Sequence, residues 1–376
     1  MNILAIESSC DETACAIVRN GTEILSSVVA TSKEMHEKWG GIVPEVAARE
    51  QLTSILPVIT EALQHTKDTK IQKDKDIKRF IEKNIDAIAI TVGPGLIGSL
   101  LIGVETAKTI AFVCQKPIIP VNHVLAHMYA NFVHSSSFRV HSKQSIIHEP
   151  STMNHERIIF PAISLVVSGG HTELYLMENK RVLRWLGGTI DDAAGEAFDK
   201  TARLLGFGNG GGAAIQEAAT KYDVRSMMYE VRIKLPRPLI NQDSLNFSFS
   251  GLKTAVLREV NTLKTNQQFN NSAIKQLSYE VQEAITDVLV AKTIKAAELH
   301  NAKSILISGG VASNERLRNK FISSISQPPH LPIQFHCPAV ELCTDNAAFV
   351  GSYAFFRGKK EDWHTITAIP DLSVEN

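Results

Sequence analysis

The chain has no Cys-x-x-Cys pair, no net charge, no HExxH motif and no long unbroken apolar run. Its five cysteines, Cys10, Cys15, Cys114, Cys337 and Cys343, suggest no disulfide framework. An odd count in a chain of 376 residues reads as reduced thiols and places the protein in the cytoplasm. Lys and Arg number 39 against 39 Asp and Glu, so any nucleic-acid contact has to come from a local patch. No stretch approaches about 18 uninterrupted apolar residues, and Met1–Ile6 runs straight into Glu7–Glu12 without a basic leader. Neither a membrane span nor a secretory segment is expected. The missing HExxH glutamate argues against zinc proteolysis, and no Ser/His/Asp triad is evident.

What is present is α/β. Short apolar runs at Ile3–Ile6, Ala14–Arg19, Ile85–Val92, Ile118–Val121, Ala162–Val167, Glu173–Met177 and Ser304–Ser308 read as strands. They alternate with helical patterns at Pro44–Gln64, Gly98–Cys114, Ala193–Leu205, Ser272–Leu299 and Asp345–Arg357. The charged stretch Lys67–Lys83 reads as a solvated loop or helix end. A single core stops growing at roughly 250–300 residues, so two lobes are expected. The pattern predicts 1–120 as the first, with 345–376 packing back on it, and 121–344 as the second, carrying metal and nucleotide motifs. The order of strand, polar turn and strand at Ile3–Arg19 repeats at Ile163–Met177. Each hairpin is answered by a later strand-to-glycine turn, at Ile88–Gly95 and Ile305–Val311. Duplicated halves would leave a glycine-floored cleft.

Five constellations could carry chemistry. Ser168, Gly169, Gly170 and His171 form a tight turn whose successive N–H groups suit an anion, or a plain hairpin. Ser308–Asn314 closes a strand and opens a helix, a setting for phosphate or ribose, with capping by Ser313 or Asn314 as the plainer reading. Gly93–Gly98 is a similar turn. His123 and His127 stand at i and i+4, one helix face, and Asp345 is the attractive third metal ligand. Their plainer readings are helix surface or core for the histidines and an N-cap for Asp345. Asp192, Glu196 and Asp199 fall near one face of a capped helix, and Gly206–Gly212 holds five glycines. Arg232, Lys234 and Arg237, with Lys253, form a basic run that could touch RNA phosphates or simply be solvated.

With these motifs in hand, the chain resembles the TsaD family, the tRNA N6-adenosine threonylcarbamoyltransferases once called O-sialoglycoprotein endopeptidases. The likeness is carried by Ile6–Thr13, Gly40–Glu45, Gly93–Gly95, His123 with His127, Val167–Thr172, Asp191–Lys200, Asn246–Lys253, Ser308–Asn314 and Cys343–Asn346. It spans nearly the whole chain. The resemblance implies a two-lobed actin-like ATPase (hexokinase/actin) fold with duplicated halves. It implies transfer of threonylcarbamoyl from threonylcarbamoyl-AMP to the N6 amine of the adenosine next to the anticodon, in tRNAs reading codons that begin with adenine. By motif, His123, His127 and Asp345 correspond to ligands of one divalent metal, Fe2+ favoured and Zn2+ the alternative. Val166, Val167, Ser168, Gly169 and Gly170 correspond to a substrate cradle. Asp199, Gly212 and Asn314 match positions that bind the adenylate, and Asp11 and Glu12 match acidic residues required for activity. The family also implies a degenerate paralogue (TsaB-like) and a small ATPase (TsaE-like) as partners.

Two departures stand out. Phe132–Arg157 is longer than the family's usual connection and carries His134, His141, His148 and His155, which reads as a solvated insertion rather than a metal site. Gly210 stands where the family usually has proline. The rival readings are an actin-fold ATPase or small-molecule kinase, and a non-catalytic partner of a tRNA-modifying complex. The first does not explain the histidine pair with Asp345. The second loses those histidines in the family's degenerate paralogues, and this chain keeps them.

Overall fold

A computed structural model describes residues 1–36, 41–66, 74–134, 158–208, 211–222, 233–326 and 333–375. It contains two five-stranded sheets of one topology. In the first, β1 (Asn2–Glu7), β2 (Glu12–Arg19) and β3 (Glu23–Thr31) form an antiparallel meander. Strands β4 (Ala87–Gly93) and β5 (Ile118–Asn122) follow on the other side of β1, parallel to it, giving the order β3-β2-β1-β4-β5. The second sheet repeats this with β6 (Ala162–Val167), β7 (Thr172–Met177), β8 (Leu183–Gly188), β9 (Ser304–Ser308) and β10 (Gln334–His336), ordered β8-β7-β6-β9-β10. The echo read from the sequence is therefore a duplicated sheet, as in the actin-like ATPase class.

The helices, in chain order, are α1 (Lys33–His36), α2 (Pro44–Gln64), α3 (Asp74–Asn84), α4 (Ile97–Cys114), α5 (His123–His127), α6 (Ala194–Leu204), α7 (Gly211–Thr220), α8 (Ser250–Thr265), α9 (Asn271–Leu299), α10 (Glu315–Ile325) and α11 (Ala347–Phe356). Strand β1 shows why the first sheet is covered on both faces. Leu4 and Ile6 point to one side, with Ile88, Ile90, Ile55, Ile59 and Val104 of β4, α2 and α4. Ile3 and Ala5 point to the other, with Ala87, Ala89, Phe349 and Val350 of β4 and α11. The small residues on that second face let α11 come close: a Cβ on Gly351 would meet Val18 at 2.7 Å. Helix α4 is long and apolar enough to cross a membrane by length and composition alone. Here Leu100, Gly103, Val104, Ala107 and Ala111 are buried in the core.

Strands β3, β8 and β10 were not expected. Strand β8 ends in glycines and is half-exposed, and β10 has only three residues, so neither has a strong apolar pattern. The charged stretch expected as loop or helix end becomes α3 from Asp74 onward, because Ile77, Phe80 and Ile81 repeat at helical spacing and pack on the first core. The chain divides into one compact unit of Met1–His155 with Glu341–Asn376, and another of Glu156–Val340. This corrects the expected boundary at 120. His123 and His127 belong with the first unit, since β5 is the outer strand of its sheet and runs directly into α5, which packs on α11.

Candidate metal centre

Helix α5 is five residues long and wholly buried. Asn122 starts it, its Oδ1 accepting from Leu125 N–H at 3.1 Å. One turn places the His123 and His127 rings in a T-shaped contact, centroids 4.7 Å apart. Asp345 comes from the loop before α11. The plainer reading made it that helix's N-cap, but Asn346 takes the role, accepting from Ala348 N–H at 3.0 Å and Phe349 N–H at 3.3 Å. The Asp345 carboxylate is thus left to the imidazoles: Oδ1 lies 3.6 Å from His123 Nε2 and 3.3 Å from His127 Nε2. One ligand atom from each of the three residues lies within 4.8 Å of the others, as the ligands of one ion must.

Two features fit a metal rather than a structural polar cluster. His127 is only 1% exposed, yet its Nδ1 has no hydrogen-bond partner and its Nε2 meets the Asp345 carboxylate at 3.3 Å without hydrogen-bond geometry. Leaving a buried polar atom unpaired costs about 1–3 kcal/mol, and ligation would remove that cost. The second feature is the support behind His123, which the sequence reading missed. Glu7, fully buried at the end of β1, accepts from His123 Nδ1 at 3.1 Å, from Thr91 Oγ1 at 2.6 Å and from Ser9 N–H at 2.7 Å. A carboxylate on Nδ1 fixes the ring's tautomer and presents the Nε2 lone pair, the usual arrangement behind a metal-bound histidine. The only signal in the sequence is a lone acid closing a strand otherwise buried on both faces.

Charge follows from this packing. Burial alone would lower the His123 pKa, but the Glu7 and Asp345 carboxylates outweigh it and lift it to about 9. Glu7 is held below its usual range, the neighbouring His123 cation and its hydrogen bonds overcoming the burial that would raise it. His127, where burial dominates and His123 adds to it, is lowered and stays neutral at pH 7. Uptake of a metal at His123 must therefore expel a proton. Affinity for a divalent ion is expected to climb about tenfold per pH unit from 7 toward 9, because the competing proton leaves as pH rises. Glu7→Gln should remove the carboxylate that holds this proton, flatten the climb, and weaken binding by about 10–100-fold through loss of ring orientation. Titration of the metal-stripped protein at several pH values checks both.

The β1–β2 turn brings Asp11 and Glu12 to the same neighbourhood. Burial, then Asp345, then Asp11 raise Glu12 well above the usual carboxylate range, and burial with Asp11 and Asp345 pushes the Cys10 thiol up. The turn is pinned by Gln51 of α2, whose amide donates to Cys10 O and Glu12 O, each at 3.0 Å.

The remaining expected site residues lie in the second unit. Val166 and Val167 are fully buried, backbone included, within the ladder of β6. The turn after them is open: a Cβ on Gly169 or Gly170 would meet nothing within 4 Å. Ser168 O accepts from Gly195 N–H at 3.2 Å, tying this turn to the start of α6. The strand-to-helix turn after β9 sits beside it, since a Cβ on Gly309 would lie 2.3 Å from Val167 O. Asp199 on α6 packs against Gly211, and Gly212 is open beyond Phe198. Asn314 caps α10, accepting from Leu317 N–H at 3.0 Å, while its amide donates to Gln282 at 3.0 Å. The plainer reading of that residue is realised.

Three sequence expectations change. The Gly93–Gly98 turn is filled by the chain itself: a Cβ on Gly93, whose φ is +155°, would lie 1.8 Å from Ile369 O, and one on Gly95 would lie 2.5 Å from Ser9 O. The acidic face of α6 is largely neutralised, Lys200 bridging Asp192 at 2.7 Å and Glu196 at 2.8 Å. Arg237, read as a phosphate contact or a solvated charge, pairs with Asp287 at 3.0 Å and Glu280 at 3.5 Å, and Lys320 pairs with Asp287 as well. Of the rest, His134 joins the start of β3, its N–H donating to Thr22 O at 2.8 Å. His141, His148, His155, Gly210 and Arg232 lie outside the described residues.

A family model described as tRNA N6-adenosine threonylcarbamoyltransferase matches residues 23–139 and 135–352. Proteins of that name from Syntrophomonas wolfei and Persephonella marina are 43% and 44% identical to this chain. The alignments cover 94% and 96% of the chain and 91% of each relative. Among solved structures, full-length HypF in a phosphate- and nucleotide-bound form aligns with a TM-score of 0.55 at 11% identity, over 94% of this chain and 46% of that one. That likeness concerns the fold alone.

Proposed function

The chain belongs to the tRNA N6-adenosine threonylcarbamoyltransferase family, and we propose from that membership that it carries a threonylcarbamoyl group from threonylcarbamoyl-AMP to tRNA with one divalent ion held by His123, His127 and Asp345. The observation that carries the metal assignment is the convergence of these three side chains, one ligand atom from each within 4.8 Å of the others, on a buried imidazole whose Nε2 lacks a well-formed hydrogen bond. Two imidazoles and one carboxylate leave coordination positions open, the donor set typical of non-haem Fe2+, with Zn2+ as the alternative. Such an ion supplies Lewis acidity and a fixed attachment for a substrate oxygen.

The reaction makes one bond and breaks one. The exocyclic N6 of the adenosine attacks the carbamoyl carbonyl, a C–N bond forms, the bond to the phosphate oxygen breaks, and AMP leaves with the electron pair. The amine loses a proton. Glu12, whose carboxyl holds a proton more tightly than an exposed glutamate, is suited to receive it, with Asp11 beside it in sequence. In the second unit, the open backbone of Ser168–Gly170 is assigned to the adenylate, with Val166 and Val167 supporting it from the strand. Asp199, Gly212 and Asn314 complete that set. We assign tRNA as the acceptor, a TsaB-like paralogue and a TsaE-like ATPase as partners, and the cytoplasm as the compartment. None of the five cysteines is joined in a disulfide, which suits a reducing one.

The test is reconstitution. Purified protein, stripped of metal and then reloaded with Fe2+ or Zn2+, is given threonylcarbamoyl-AMP and unmodified tRNA, with and without the two partners. Formation of N6-threonylcarbamoyladenosine only after reloading is expected. Equal product from the stripped protein would remove the metal from the reading, and turnover of ATP on a sugar or acetate instead would favour a kinase.

A further inference from the structure

The segment that fills the Gly93–Gly95 turn continues toward the metal ligands. Ile369 N–H donates to Val92 O at 2.7 Å, and Pro370 O accepts from Gly95 N–H at 3.0 Å. Ser373 O then accepts from the amide of Asn122 at 2.9 Å. Asn122 immediately precedes His123, is 8% exposed, and uses its other side-chain atom to close the first turn of α5. At the other end of the segment, Val92 follows Thr91, which donates to the Glu7 oxygen that also receives His123 Nδ1. The segment is thus bonded one residue away from each of two groups that set the His123 ring.

Its attachment is discrete. A hollow of about 340 Å³ lies under it, lined among others by Leu125, Tyr353, Ile366 and Leu372. Anchoring is concentrated in the buried Ile366, in Leu372 and in the hydrogen bonds just named. A strand pinned at separate points over a hollow opens more readily than one packed throughout.

We propose that Ile369–Ser373 is a strap that fixes the metal-binding helix, with Asn122 as the positioning residue through which it acts; this rests on the metal site proposed above. Asn122 Oδ1 serves the helix and its amide serves the strap, so the two roles separate by mutation. Asn122→Ser keeps a capping acceptor for Leu125 N–H and loses the donor to Ser373. Ending the chain at Leu372 removes the Ser373 carbonyl from the other side.

Each variant is titrated with Co2+ and followed by the metal's ligand-field absorbance, beside thermal unfolding of the metal-free protein. The strap predicts that either change weakens Co2+ binding about tenfold and shifts the absorbance band. The double variant should be no weaker than the single ones, because both remove one interaction. Wild-type Co2+ affinity in both variants, or losses that multiply in the double variant, would overturn the strap while leaving the metal site standing. Failure of the unaltered protein to bind Co2+ would overturn both.

Discussion

His127→Ala is expected to bring metal content to near zero and to lower threonylcarbamoyl transfer on the order of 10³-fold or more, with the fold intact. The fold survives because two effects oppose each other. Truncating a buried ring leaves a cavity, at a cost of about 2–5 kcal/mol. It also removes a ring whose buried Nδ1 is unpaired, worth about 1–3 kcal/mol in the opposite direction. His123→Ala should behave differently, although it deletes the other imidazole of the same site. It strips Glu7 of its partner and leaves a fully buried carboxylate beside Thr91 and Ser9, a loss of roughly 3–5 kcal/mol. Metal analysis, product assay and thermal unfolding on the two variants check the contrast. Transfer by metal-free His127→Ala at the unaltered rate would end the metal assignment.

That asymmetry also marks what the sequence can and cannot show. The two histidines were legible because four residues of helix put them on one face, a purely local rule. Asp345 was legible only as a candidate, since its alternative as a cap depended on whether Asn346 would take that role. Glu7 was not legible: it stands 116 residues from His123, and only the pairing of β1 with β4 and of β4 with β5 brings them together. The Gly93 turn was misassigned for the same reason. Glycine reports that something approaches the backbone, and the sequence does not say whether it is a ligand or Ile369. Asp191 read as one acid in a row, yet it accepts from Phe249 N–H at 2.7 Å and Ser250 N–H at 3.2 Å and so fastens the start of α8. The duplicated sheets, by contrast, rest on apolar runs long enough to read directly; the edge strands β8 and β10 lack them.

The same distinction among glycines yields the second large effect, in the other unit. Gly309 has φ +90° and a would-be Cβ 2.3 Å from Val167 O, 2.7 Å from Val167 C and 3.2 Å from Ser168 N. All three are backbone atoms, so no side chain can swing aside. Gly309→Ala combines left-handed strain of about 1–3 kcal/mol with overpacking of similar size, and a loss of roughly 4 kcal/mol is expected. Since β6 and β9 are paired in register from Ala162↔Ser304 to Val166↔Ser308, the damage should spread through both strands and appear as faster amide exchange there. Gly169→Ala meets nothing within 4 Å. It should keep the unfolding temperature within a few degrees, a change below about 1 kcal/mol. If the Ser168–Gly170 backbone holds the adenylate, the added methyl stands where the ligand must approach, and affinity for a non-hydrolysable adenylate analogue should fall at least about tenfold. The pair separates a glycine that the protein's own backbone requires from one that a ligand requires. Unchanged analogue binding in Gly169→Ala, with Gly309→Ala as unstable as expected, would leave the β6 turn a plain hairpin and move the adenylate elsewhere.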